Sequence, residues 1–475
     1  MISGNWSRTA VIAAGLAGFA ISIALGSRHG ADPMYTAGPA SFGAGCTACH
    51  PLNAGPGGVE IVEPPRRYRA GQTYELNVRV FDSQQAGAGF EISAEGPDAH
   101  RGTLLILDAM LTQFAGGDPD YVTHTGDGVD ESVADWSTNG GAFEYAVGWQ
   151  APPADEGPVT FFVAGNAINN GTGFSGDRFY AGYATAHYAI PGDVDADTDL
   201  DLLDFATVQT CFGAASPLGG ECQFVDMDDD DFISLDDAAD WVLDMTGPTA
   251  ADPGEYVLAD AVRGGSLYDN WWVVAGLPEP IGEHPLYPES GSQSGNTTFR
   301  CKECHGWDYQ GADGAYGTGS HFTGIAGVLG TTLSSREVFD LLLAAPGELP
   351  NGHNMAAYGL TDRDLWDLVK FVREGVVDTD DFIDGTGAFP GDAFFGGFSY
   401  GLNCIYCHGE NGDAINFGTP GEPEYIGTIA NDNPWELLHK IRFGHPGSPM
   451  PATELLGWND AGLVDLGAYC QFLPE

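Results

Sequence analysis

Three copies of Cys-x-x-Cys-His constrain this chain more than any other feature: Cys46-Thr47-Ala48-Cys49-His50, Cys301-Lys302-Glu303-Cys304-His305 and Cys404-Ile405-Tyr406-Cys407-His408. Two thiols at this spacing can reach the two vinyl groups of one porphyrin. The histidine beside the second thiol then lies under the iron as its proximal ligand. A zinc site or a redox dithiol is the competing reading of any single copy. At this chain's Cys and His frequencies one chance match is expected in roughly 1 of 200 such chains, so three are not chance. The pattern predicts haem c at Cys301, Cys304 and His305 and at Cys404, Cys407 and His408. A third haem is expected at Cys46, Cys49 and His50, in a different setting.

Haem c is attached outside the cytoplasm, so the protein is expected to be exported, periplasmic or extracellular. The N-terminus agrees. Arg8 precedes an apolar run over 10–25, and Ala24-Leu25-Gly26 fits a small-x-small cleavage site. The run is short for a stable span. A signal peptide over 1–26 is the expectation, with an uncleaved anchor as the alternative. No later stretch is apolar and long enough to cross a membrane, so the mature chain is expected to have no span. The formal charge is −50, from 17 basic and 67 acidic residues, which argues against nucleic acid and anionic membrane surfaces. It favours calcium and a basic redox partner, against solubility alone.

The 475 residues are enough for three or four domains. Residues 40–190 read as an all-β sandwich of about seven strands. Tyr74, Leu76, Val78 and Val80 alternate with Glu75, Asn77 and Arg79, and Phe143, Tyr145, Val147 and Trp149 do the same. Further strands are expected over 159–163 and 179–188. Residues 191–247 are acidic, in two similar units of an acidic loop followed by a short apolar helix. Residues 248–262 read as a linker. From 263 the pattern is helical, in two modules over 263–378 and 385–475, each with a haem motif near its start and a helix at its end. Ser334-x-x-Glu337 and Thr361-x-x-Asp364 are capping boxes. Asn433 followed by Pro434 is an N-cap with proline at the first helical position.

A six-coordinate haem needs a second axial ligand. In the last module Met450 stands on a proline-stiffened loop, Pro449-Met450-Pro451, with His445 as competitor. In the preceding module Met355 holds the matching place, with His353 as competitor. Aligning Asp362 with Asp460 brings the two methionines to within about three residues of register.

These modules resemble class I cytochrome c domains in tandem. The resemblance rests on the haem motifs, on Met355 and Met450, on Gly264-Gly265-Ser266-Leu267-Tyr268 as a first helix and on the terminal helices. It implies single-electron transfer between redox proteins as donor and acceptor. The segment from Cys46 through Tyr121-Val122-Thr123-His124-Thr125 and Trp149-Gln150-Ala151-Pro152 resembles the choice-of-anchor V, reeler-like family, which implies a fold rather than an activity. His124 is the expected distal ligand there, over His100 and His187.

In the acidic region Asp193, Asp195, Asp197, Asp199, Asp201 and Asp204 occupy loop positions 1, 3, 5, 7, 9 and 12. Asp226, Asp228, Asp230, Phe232, Ser234 and Asp237 repeat the spacing, and position 7 ligates through its carbonyl, so Phe232 serves. About two Ca²⁺ ions are expected. The pair resembles EF-hand-like dockerin type I repeats, which implies either a cohesin-like partner or a spacer; the spacer is preferred. Cys211 and Cys222, between the loops, are expected to form a disulfide. Cys470 reads as a buried apolar residue.

The resulting expectation is an exported multihaem cytochrome. The alternatives are a haem enzyme (a peroxidase or sulfur-compound oxidoreductase) or its electron-transfer subunit, and a dockerin-type binding module carrying cytochromes.

Overall fold

The computed structural model describes residues 28–475 apart from 42–44, 46–54, 172–174, 195, 197–199, 216–217, 219, 228–229, 231, 246–253 and 290. The signal peptide expected over 1–26, the motif at Cys46, Cys49 and His50, and Asp195, Asp197, Asp199 and Asp228 of the acidic loops lie outside the described residues.

The N-terminal part is β1 (Gly58–Val62), β2 (Arg67–Tyr68), β3 (Thr73–Phe81), β4 (Gly87–Glu95), β5 (Thr103–Ile106), β6 (Thr112–Phe114), β7 (Tyr121–His124), β8 (Ala142–Gln150), β9 (Val159–Ile168) and β10 (Arg178–Tyr188). They form two sheets, ordered β1-β3-β8-β5 and β2-β10-β9-β4-β7-β6. Pairing is antiparallel except where β2 lies parallel to β10. Ten described strands replace the seven expected, because short edge strands such as β2 and β6 carry too few residues to show a period. Leu76, Val78 and Val80 of one sheet meet Phe90, Ile92, Phe161 and Val163 of the other in a single core, with Tyr145 and Trp149 filling it.

The period of two fails on β4, which is buried along all nine residues. The chain just before the sandwich covers its outer face. Tyr35 N donates to Glu91 Oε1 at 2.8 Å and Ala40 N to Glu95 Oε2 at 2.8 Å. Helix α1 (Gly126–Asp135), capped by Thr125, packs on β4.

The acidic region carries α2 (Leu202–Cys211) and α3 (Leu235–Asp244), around a small core of Val208, Val225, Ile233 and Trp241. A disulfide joins Cys211 to Cys222. Arg67 and Arg69 of the sandwich donate to the Asp193 and Asp226 carbonyls at 2.8 and 3.0 Å. The stretch expected as a linker contains α4 (Gly254–Val257), whose Tyr256 is buried and donates to Glu374 at 2.7 Å.

The C-terminal half is helical: α5 (Ala261–Val274), α6 (Cys301–His305), α7 (Ser335–Leu343), α8 (Asp362–Lys370), α9 (Ala393–Asn403), α10 (Ile405–His408), α11 (Ile426–Asp432), α12 (Pro434–Phe443) and α13 (Asp460–Cys470). Ser334 and Thr361 close the two capping boxes and Asn433 caps α12 ahead of Pro434. α5 crosses α8 over one apolar core, and α9 crosses α13 over another. Among the described residues no helix is long and apolar enough to cross a membrane.

Candidate functional site

α6 carries Cys301, Cys304 and His305, and Gly306 ends it at φ 77°, where a side chain would be strained. Tyr268 of α5 donates to the Gly306 carbonyl at 2.6 Å, which fixes the motif on the helix crossing. His305 Nδ1 lies 2.8 Å from the Ala326 carbonyl, so it carries the proton and Nε2 is left for a metal. Burial, then nearby His353, pulls the His305 pKa down to about 4, which keeps the ring neutral and able to ligate. Burial pushes the Cys301 and Cys304 thiols up to about 12. Thiols held protonated are poor redox nucleophiles. A neutral thioether is at ease in the same surroundings.

The second motif repeats this construction. Gly409 ends α10 at φ 77°, and Tyr400 of α9 donates to the Gly409 carbonyl at 2.8 Å. Cys404, His408, Leu437, Met450 and Leu466 line a cavity of about 370 Å³, with His445 also on its wall. That size suits a cofactor site. His408 Nδ1 is buried without a partner. Burial, then His445, lowers its pKa to about 4. The motif's Cys404, a neutral imidazole, a thioether and the apolar Leu437, Ile441 and Leu466 fit a covalently held haem.

The correspondence between the two halves extends to their scaffolds. Asp260 N donates to Asp367 Oδ1 at 2.8 Å, and Asp392 N to Asp465 Oδ1 at 2.6 Å. A Cβ on Gly264 would sit 2.0 Å from the Asp367 carbonyl oxygen, and one on Gly396 would sit 1.9 Å from that of Asp465. Each first helix therefore crosses its last helix at a glycine, under the same aspartate. The sequence carries the signal as Asp-x-x-x-Gly-Gly-x-x-Tyr at Asp260–Tyr268 and again at Asp392–Tyr400.

Sequence reasoning also missed the boundary between the halves. Asp269 of α5 is buried and ion-paired with Arg300, next to Cys301, and with Lys440 of α12. Burial alone would raise its carboxyl, but Lys440 and Arg300 carry it well below the usual range. Arg300, Asp269 and Lys440 also line the cavity around His408. His439 of α12 bridges Tyr309 Oη at 2.8 Å and the Gly265 carbonyl at 3.0 Å. The wall of one cleft is thus built partly from the other half.

His124 is buried, with Nδ1 3.0 Å from the Phe90 amide and 3.1 Å from the Phe90 carbonyl. Met355 is buried in the core and Met450 is partly buried at the cavity. In the acidic loops Asp204 accepts from Val194 N and Asp201 N at 2.7 and 2.9 Å, and Asp237 accepts from Met227 N and Ser234 N, both at 2.7 Å. Among the described residues no group of three His, Cys, Asp or Glu could hold a metal ion. Cys470 is buried at the far cavity, its thiol pushed up by burial.

Residues 292–375 match the cytochrome c family. That segment holds Cys301–His305, His353 and Met355, and it implies haem c, haem-based electron transfer and redox proteins as partners. No curated protein matches the chain. Among solved structures, the human F-spondin reeler domain is 18% identical, covering 29% of this chain and 91% of its own, with a TM-score of 0.20. The Reelin-N domain of F-spondin is 20% identical, covering 28% and 87%, with a TM-score of 0.20.

Proposed function

We propose that the protein is an exported multihaem cytochrome that relays single electrons between redox proteins. The observation that carries the reading is the duplicated scaffold, with Tyr268 on the Gly306 carbonyl and Tyr400 on the Gly409 carbonyl. It supports two tandem cytochrome c modules, over 263–378 and 385–475, although the family match covers the first alone. Covalently held haem supplies a one-electron iron couple. The chain's own part is to hold each porphyrin by Cys301 and Cys304 or Cys404 and Cys407, to offer His305 and His408 as neutral imidazoles, and to exclude water with apolar walls. Met450, on the cavity wall, would help hold the iron of a C-terminal haem through its thioether. The Asp269 and His439 contacts hold the modules in one register, which favours transfer between their haems.

The motif at Cys46, Cys49 and His50 adds a third haem, with His124 as its distal ligand. The acidic repeats between sandwich and modules act as a calcium-stiffened spacer, and the leader over 1–26 directs export. A pyridine haemochrome assay of the secreted protein checks the reading. Two or three haems per chain are expected, and fewer than two rejects it.

A further inference from the structure

We infer that His353, and not Met355, is the distal ligand of the haem held by Cys301, Cys304 and His305. The inference rests on the haem reading of that motif and deepens it. The ring centres of His305 and His353 stand 6.2 Å apart, with the planes tilted by 31°. A metal bound at about 2 Å from one nitrogen of each of two imidazoles sets the ring centres about 6 Å apart. His305 Nδ1 is spent on the Ala326 carbonyl. His353 Nδ1 is buried against the Leu341 and Asn351 carbonyls without completing a hydrogen bond to either. Nε2 is the remaining nitrogen on both rings.

The backbone explains why the histidine and the methionine part company. His353 N donates to the Leu341 carbonyl at 2.8 Å and Asn354 N to the Ala344 carbonyl at 2.9 Å, which pins the loop to the end of α7. Asn351 and Asn354 both adopt left-handed conformations, at φ 66° and 56°, a region asparagine tolerates better than most residues. The left-handed residue between His353 and Met355 breaks any regular alternation of their side chains. His353 stays half-exposed beside His305, whereas Met355 is 3% exposed and packed in the core that contains Trp271, Phe299 and Leu365.

Two imidazoles give a lower potential than imidazole with thioether, so the module over 263–378 becomes the lower-potential haem of the pair. The test is EPR of the oxidised full-length protein, with haem content measured alongside. His353→Ala is expected to abolish one low-spin bis-imidazole signal at unchanged haem content. Met355→Leu is expected to leave the spectrum as in the parent protein. His353→Met is expected to keep the haem low-spin and to raise its midpoint potential. A set of bis-imidazole signals left unchanged in number by His353→Ala, or a haem turned high-spin by Met355→Leu, overturns the assignment. A parent protein with no haem on Cys301 and Cys304 overturns both this and the reading beneath it, and the haem count tells the two failures apart.

Discussion

Glu91 is fully buried on β4, and burial lifts its carboxyl from 4.5 to about 8, against the pull of the Tyr35 and Met34 amides. A folded state that keeps this proton holds more protons than the unfolded chain between those values. Stability from this group is therefore full below about pH 4.3 and declines as pH rises towards about 8. Glu91→Gln keeps the acceptor for Tyr35 N and removes the titration. It is expected to stabilise the sandwich increasingly as pH rises towards 8 and by nothing at pH 4, read as the difference in denaturant midpoint. A second residue-scale expectation concerns Gly264 and Gly396. Either glycine changed to alanine drives a Cβ into a backbone carbonyl, which neither helix can avoid without separating. About 3 kcal/mol of stability should be lost in the affected module, measured by thermal unfolding followed in the haem absorption.

Across the boundary between the two helical halves, helices meet through groups that have no local sequence signal. Asp269→Asn leaves Arg300 and Lys440 without their buried counter-charge, and is expected to cost about 3 kcal/mol and to expose the α5–α12 boundary to protease. The capping boxes at Ser334 and Thr361 and the Asn433–Pro434 start were legible, because a cap is a contact within four residues. So were Leu76, Val78 and Val80, whose strand has one face in water. β4 was not, because the cover over its outer face comes from residues 35–40, far away in sequence. The attachment motifs stood out for the same local reason as the caps. The placing of His353 beside His305 did not, since a left-handed Asn354 separates it from Met355 and no spacing rule foretells that turn. Asp269, Tyr309 and His439 went unnoticed because each acts across a boundary that exists only once two helical units have packed.

At the scale of the whole chain, an acidic unit sits between a β-rich part and a helical part. Its sequence spaces carboxylates as in a calcium loop, where they would repel one another unless a cation neutralised them. Removing calcium with EDTA is expected to lower the melting temperature of the region over 191–247 while the haem spectrum stays unchanged, seen by calorimetry with and without added calcium. An identical thermogram in both conditions would count against the calcium spacer. The account stands or falls on porphyrin fixed to two pairs of thiols in the helical half. Peptide mass spectrometry of the secreted protein tests that most directly. Peptides spanning Cys301–Cys304 and Cys404–Cys407 are each expected to carry one haem through two thioethers, and recovery of both with free thiols would contradict the account.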